Sequence, residues 1–299
     1  MSDTQDRDRI AFVESAIRDA TGAAFRLIDL QPVHGGSIHD CYRAHGDRDT
    51  YFIKLGGHTC NDMFAAEADG LDALRGASPL YVPELVGHRA DATHACLILE
   101  HVTLAPLQSA ADGERAGEAL AVLHADTSAQ FGWHRSNFLG RTPLDNRWQA
   151  HWPQFLATAR FAPLFAAAVA AGHVTLERKG RQLVERLPAL FVDDATPASL
   201  LHGDLWHGNI GVRPDGTPTV FDPAVFRGDP EFDLAMTGLF GGFPSSFYAA
   251  YRRARPPRPG YEIRDRLYRC YHLLNHVVLF GHAYLRETVR QIDWLLACR

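Results

Sequence analysis

Residues 199–233 read SLLHGDLWHGNIGVRPDGTPTVFDPAVFRGDPEFD, and the polar spacing inside this stretch decides the fold. The apolar pair Leu200-Leu201 leads into His202-Gly203-Asp204. Asn209 follows at D-x-x-x-x-N spacing, and Asp222 comes after a second apolar run, Val220-Phe221. A carboxylate, an amide and a second carboxylate, each leaving a short strand, are what magnesium-assisted phosphoryl transfer requires. One Asp orients or takes the acceptor hydroxyl proton, while the Asn and the other Asp hold metal on the phosphates. Turn chemistry accounts for Gly208, Asn209 and Pro214-Asp215-Gly216 one at a time. It does not account for His, Asp, Asn and Asp recurring between apolar strands.

A phosphoryl-transfer loop needs a nucleotide half, and the N-terminal third supplies candidates. Among the 30 basic residues only Lys54 and Lys179 are lysines, and Lys54 lies in the strand-like run Thr50–Leu55. A compact ammonium suits phosphate oxygens where a broad guanidinium does not fit. Upstream, FRLIDLQPV (25–33) and residues 38–44 read as two strands joined by His34-Gly35-Gly36-Ser37, a turn whose bare amides could lie over phosphates. Downstream, 62–75 reads as a helix with Phe64, Ala68, Leu71 and Leu74 on one stripe and Glu67 beside it, placed to pair with Lys54. Strands are expected at 82–87 and 95–100, with Glu100, His101 and Val102 offering backbone groups to an adenine.

Past residue 103 the pattern turns helical, which sets the expected boundary between lobes 1–103 and 104–299. Helices are expected over 8–20 (stripe Ile10, Val13, Ile17, Ala20), 113–125, 147–171, 175–191, from 233 to 240, after Ser245 or Ser246, and over 263–280 and 282–298. His124 reads as a satisfied core histidine. Trp148, Trp152, Phe155, Phe161 and Phe165 read as core. The irregular stretch FGWHRSNFLGRTPLDN (131–146) reads as a functional loop.

Composition narrows the class. At 299 residues and 33.1 kDa the chain is long enough for two lobes. A net charge of −5 argues against broad nucleic-acid binding, and no apolar run approaches the roughly 20 residues that span a bilayer. The charged N-terminus lacks a secretory segment, which points to the cytoplasm. Cys41, Cys60, Cys96, Cys270 and Cys298 are dispersed and odd in number, as expected of reduced thiols. His202, Asp204 and His207 could be read as an H-x-D-x-x-H zinc cluster of a metallohydrolase, but a Gly-rich loop does not fix ligands as a helix does.

The string LLHGDLWHGN…VFDPAVFRGDPEFDLAMTGLFGGFP…FYAAY, with FIKLG, MFAAEADGLDAL, VPELVG, LILEHV and YHLLNHVVLFG, closely resembles the fructosamine kinase (ketosamine-3-kinase) family over nearly the whole chain. Aminoglycoside and choline phosphotransferases share only the HGD…N…D skeleton. The resemblance implies an α+β, two-lobed protein-kinase-like fold: a small lobe with a five-stranded antiparallel sheet and one helix, and a larger helical lobe. It implies ATP- and Mg²⁺-dependent phosphorylation of the sugar 3-hydroxyl in ketosamines, on small amines or glycated protein lysines, which leads to deglycation. Carried over by position, Asp204 is the catalytic base, Asn209 and Asp222 the metal ligands, and Lys54 with Glu67 the phosphate-orienting pair. Gly35, Gly36 and Ser37 form the phosphate loop, and Asp233 braces the catalytic loop with His202. Trp206 is a candidate wall for the acceptor. His207 stands where the family usually has Ser, inside the same loop. Still open on sequence are a monomer or a homodimer, an aminoglycoside- or choline-like acceptor, and a nucleotide-binding pseudokinase; the intact Lys54, Asp204, Asn209 and Asp222 speak against the last.

Overall fold

The computed structural model describes residues 3–33, 40–191 and 196–298. Helix α1 (Asp3–Thr21) precedes strands β1 (Leu27–Pro32), β2 (Asp40–Gly46) and β3 (Thr50–Gly57). Helix α2 (Asn61–Leu74) comes next, then β4 (Leu85–Ala90) and β5 (His94–Glu100). The five strands form one antiparallel sheet in the order β1-β2-β3-β5-β4. Side chains alternate across it. Ile53, Leu55, Cys96 and Ile98 join Phe12, Val13, Ala16 and Ile17 of α1 on one face. Leu97 and Leu99 join Phe64, Leu71 and Leu74 of α2 on the other. Two expectations shift here. The buried stripe of α1 is Phe12, Val13, Ala16 and Ile17, while Ile10 is exposed. The strand expected at 82–87 runs over 85–90, since Pro83 has no N–H to give a ladder.

The helical part begins with α3 (Ala110–Leu123), capped by Ser109, whose hydroxyl accepts the Asp112 N–H at 3.0 Å. Short strands β6 (Thr127–Ser128), β7 (Asn137–Leu139) and β8 (Thr142–Leu144) follow, so the stretch read as a loop carries a β7-β8 hairpin. The helix expected at 147–171 starts only at α4 (Trp152–Phe155), with Pro153 in its first turn. It passes through a π-helical turn at Leu156–Phe161 into α5 (Ala162–Ala170). Trp148 therefore lies outside it and is exposed, whereas Trp152, Phe155, Phe161 and Phe165 are core. Helix α6 (Leu176–Arg186) ends in a 3₁₀ turn.

Strands β9 (Ala198–Leu201), β10 (Ile210–Val212), β11 (Pro218–Val220) and β12 (Phe226–Gly228) carry the decisive stretch. They pair as β12-β9-β6 and β10-β11. Helix α7 (Glu231–Thr237) starts two residues earlier than its pattern suggests, because the Asp229 carboxylate accepts the Glu231 N–H at 3.0 Å. Helices α8 (Ser245–Ala254), α9 (Tyr261–Phe280) and α10 (Leu285–Ala297) complete the chain. Their core packs Tyr268, Tyr271 and Leu274 of α9 against Trp152, Phe155, Phe226 and Phe232. The α2-side group of buried side chains continues between the two parts, joining Phe64 and Leu97 to Leu120, Leu205, Ile210 and Phe247. Among the described residues no helix is long and apolar enough to cross a membrane, and no cysteine is in a disulfide.

Candidate active site

The loops after β9 and β11 face β3 and α2 across a cavity of about 540 Å³. Lys54, Glu67, Asp204, Trp206, His207, Asn209 and Asp222 all line it, so residues scattered over 169 positions of sequence meet at one place.

Lys54 leaves β3 on the α2 side and is almost fully buried. Its Nζ lies 2.7 Å from Glu67 Oε1 and also contacts Asp222 Oδ1. One ammonium thus joins the small-lobe helix to the loop after β11. Asp222 has φ +61°, and among the described residues it alone combines a side chain with the left-handed region. Such a conformation persists where surrounding structure over-determines it, and it aims this carboxylate at Lys54.

The catalytic loop is held from behind. Asp233 on α7 is completely buried and accepts the backbone N–H groups of His202 and Gly203, each at 2.8 Å. His124 Nε2 lies 3.2 Å from Asp233 Oδ2, and its Nδ1 lies 2.7 Å from the Tyr251 hydroxyl. The Asp233 carboxyl is held below its usual range: burial opposes ionisation, but the His124 contact, His202 and the Gly203 amide outweigh it. Gly203 has φ +84°, and a Cβ there would meet Ala224 O at 2.0 Å, so only glycine makes this turn.

His202 fastens the two loops together. Its Nε2 lies 3.0 Å from the Phe221 carbonyl, and its Nδ1 accepts the Asp204 N–H at 3.3 Å. A carbonyl can only accept, which fixes the Nε2–H tautomer. Burial lowers the pKa of the ring and keeps it neutral. Both nitrogens are therefore occupied, and His207 is exposed, so His202, Asp204 and His207 do not converge on a metal. Among the described residues no group of three His, Cys, Asp or Glu is arranged for one.

Asp204 itself is pushed up to about 7. Removal from water dominates and nearby Asp233 adds to it, against the Asn209 hydrogen bond and Lys54. The Asn209 side-chain amide donates to Asp204 O at 2.9 Å and to its carboxylate at 3.2 Å. Asn209 thereby spends its N–H end on Asp204 and keeps its carbonyl oxygen as a ligand atom.

Trp206 forms a wall, folded over Gly208 so closely that a Cβ there would lie 2.4 Å from the indole. His207 stands edge-on to it at 4.6 Å between centroids. Glu100 and Val102 line the cavity where the chain leaves β5, while His101 lies outside the lining. The Glu100 carboxylate is held by the Tyr81 hydroxyl and the Glu84 N–H. Gly35, Gly36 and Ser37 lie outside the described residues.

Several residues of the site escape the sequence reading. Asp69 on α2 accepts Trp133 Nε1–H at 2.7 Å and lies 2.8 Å from His134 Nε2, and Arg135 donates to Ala65 O at 3.1 Å. This strap seats α2, and with it Glu67, on the helical lobe. Asn137 donates to Val225 O at 2.7 Å just beyond Asp222 and lines the cavity with Phe138 and Gly140. Their sequence signal is the aromatic- and Asn-rich segment 131–146, which marks a functional loop without saying what it grips.

Residues 10–298 match the sequence model of the fructosamine kinase family. The chain belongs to the fructosamine kinase family. A "Probable ketoamine kinase" of Synechocystis is 37% identical over 95% of this chain and 96% of its own length. The chloroplastic protein-ribulosamine 3-kinase of Arabidopsis thaliana is 32% identical over 95% and 88%. The crystal structure of a protein assigned as a fructosamine-3-kinase from Thermobifida fusca superposes with a TM-score of 0.83 at 30% identity, covering 96% of this chain and 99% of that one. An aminoglycoside phosphotransferase solved with ADP and hygromycin B shares the fold alone, with a TM-score of 0.63 at 16% identity over 95% and 97%. The two-lobed, protein-kinase-like α+β architecture is thus that of a phosphotransferase of the fructosamine kinase family.

Proposed function

We propose that this chain transfers the γ-phosphoryl group of ATP to the sugar 3-hydroxyl of fructosamine- or ribulosamine-type adducts, on small amines or on protein lysines. The observation that carries this reading is the Lys54–Glu67–Asp222 cluster facing Asp204 and Asn209 across one cavity. Residues 1–103 then form the nucleotide lobe and 104–299 the catalytic and acceptor lobe, with the adenine seated near Glu100 and Val102.

Asp204 accepts the 3-hydroxyl proton as that oxygen attacks the γ-phosphorus and ADP leaves. A carboxyl raised to about 7 is a better proton acceptor at neutral pH than an ordinary aspartate. Lys54, aimed by Glu67, neutralises charge on the phosphates. The donor set suits magnesium: Asn209 and Asp222 offer hard oxygens in the same cavity, and Mg²⁺ usually takes one or two protein ligands and leaves the rest to phosphate and water. When bound, the ion supplies further neutralisation of the triphosphate. His202 and Asp233 hold the loop, so little reorganisation is needed when the reaction occurs.

The test is ADP release with Mg²⁺ across fructose-, ribulose- and erythrulose-amines, with an aminoglycoside and choline as controls. Turnover is expected on the ketosamines and lost by orders of magnitude in Asp204→Asn with ATP affinity little changed. Turnover on the controls alone would overturn the acceptor assignment, and ATP binding without any turnover would make the chain a pseudokinase.

A further inference from the structure

Beyond the cavity, Trp206 begins a row of rings that phosphoryl transfer does not use. Its indole meets Phe240 edge-on at 6.3 Å, and Phe240 lies 4.7 Å from His276 near the end of α9. His276 in turn lies 5.4 Å from Phe280 and 4.9 Å from Tyr284. These are not core positions. Trp206, Phe240, His276 and Tyr284 are half-buried, and Phe280 is 46% exposed. A continuous partly open aromatic surface leading out of a catalytic cavity is a binding feature more than a packing one.

Resting on the ketosamine-kinase reading above, we propose that this row seats the amine portion of the acceptor. It selects adducts whose amine carries an aromatic or long alkyl group. The occupant follows from continuity and charge. Trp206 walls the cavity that holds Asp204, so a sugar reacting there leads its amine substituent onto the next ring. The secondary ammonium of a ketosamine suits the indole face, and the substituent beyond it meets the Phe240 ring. His276 fits this assignment. Its Nδ1 lies 2.8 Å from the His272 carbonyl, which can only accept, so Nδ1 carries a proton. Burial holds its pKa below the usual histidine range, which favours the neutral ring over a cation that would repel an ammonium.

The experiment compares KM for the ribulose adducts of methylamine, hexylamine and phenethylamine, in the wild type, Phe240→Ala and Phe280→Ala. Burying a ring or hexyl chain on this surface lowers KM by about tenfold relative to the methyl adduct. Both variants should bring the three values within about threefold of one another. Equal KM values in the wild type would overturn the assignment, as would discrimination that survives in both variants. A variant that changes the oligomeric state and leaves the KM ratio alone would assign the surface to a second copy of the chain instead. Turnover of the methylamine adduct tests the kinase reading separately. Should no adduct turn over, direct calorimetric binding of the phenethylamine and methylamine adducts still decides whether the row discriminates. Phe280 is exposed, so its replacement leaves the fold intact, and thermal unfolding verifies this for both variants.

Discussion

Asp233→Asn swaps one oxygen of a buried carboxylate for an NH₂ group and leaves the volume unchanged. In the wild type the two oxygens accept His202 N–H and Gly203 N–H at 2.8 Å and contact His124 Nε2 at 3.2 Å. Asparagine keeps one acceptor. If that oxygen takes Gly203, the new NH₂ faces both the His202 amide and His124, which already has Tyr251 on its other nitrogen. Hydrogen bonds to a charged group contribute about 1.5–3 kcal/mol each, and a buried donor left unpaired adds a desolvation penalty. The expected loss is about 3–5 kcal/mol, read as a fall in urea unfolding free energy at pH 7. Activity should fall as well, because these two amides place Asp204; a displacement of about 1 Å at such a site costs about a hundredfold in kcat. The pH dependence gives a further readout. The Asp233 carboxyl is depressed in the folded state, so its contribution is present above the unfolded aspartate value and disappears as pH falls through the lower folded one. The wild-type advantage over Asp233→Asn should therefore shrink in acid. A variant within about 1 kcal/mol of wild type at pH 7, with kcat within threefold, would refute the bracing role.

Other outcomes follow from the same geometry. Glu67→Gln leaves Lys54 held by Asp222 alone and should raise the KM for ATP by about tenfold with a smaller change in stability, measured by ADP release and urea unfolding. Asp69→Ala removes the acceptor of Trp133 and His134, loosening α2; a loss of about 1–3 kcal/mol in unfolding free energy is expected, with a higher KM for ATP. Gly208→Ala drives a methyl into the Trp206 indole and should raise the KM for the ketosamine while nucleotide affinity, followed by thermal shift, stays near wild type. Asp204, raised to about 7, binds its proton below that pH, so kcat/KM for the acceptor should climb as pH rises through the neutral range. A flat profile between pH 5.5 and about 8.5 would refute the raised carboxyl.

The sequence by itself determined the phosphotransferase chemistry and the lobe pattern, because both rest on local signals. Asp204, Asn209 and Asp222 are legible through short spacings between apolar strands, and Lys54 through its place in a β-run of an otherwise arginine-using chain. The strands of the small lobe and the helices at 8–20 and 62–75 are legible as local runs and stripes, while their joining in one five-stranded sheet is implied by the family resemblance. Tertiary structure decided what depends on residues distant in sequence. It joined Glu67 and Asp222 to one lysine, set Asp222 in the left-handed region, and buried His124 between Asp233 and Tyr251. It also showed Trp148 exposed and the segment 131–146 gripping α2. The row of rings from Trp206 to Phe280 belongs to the second kind as well. The catalytic loop, the segment after α7 and the end of α9 contribute to it, and no spacing within any one of them marks rings that come together only when the chain folds.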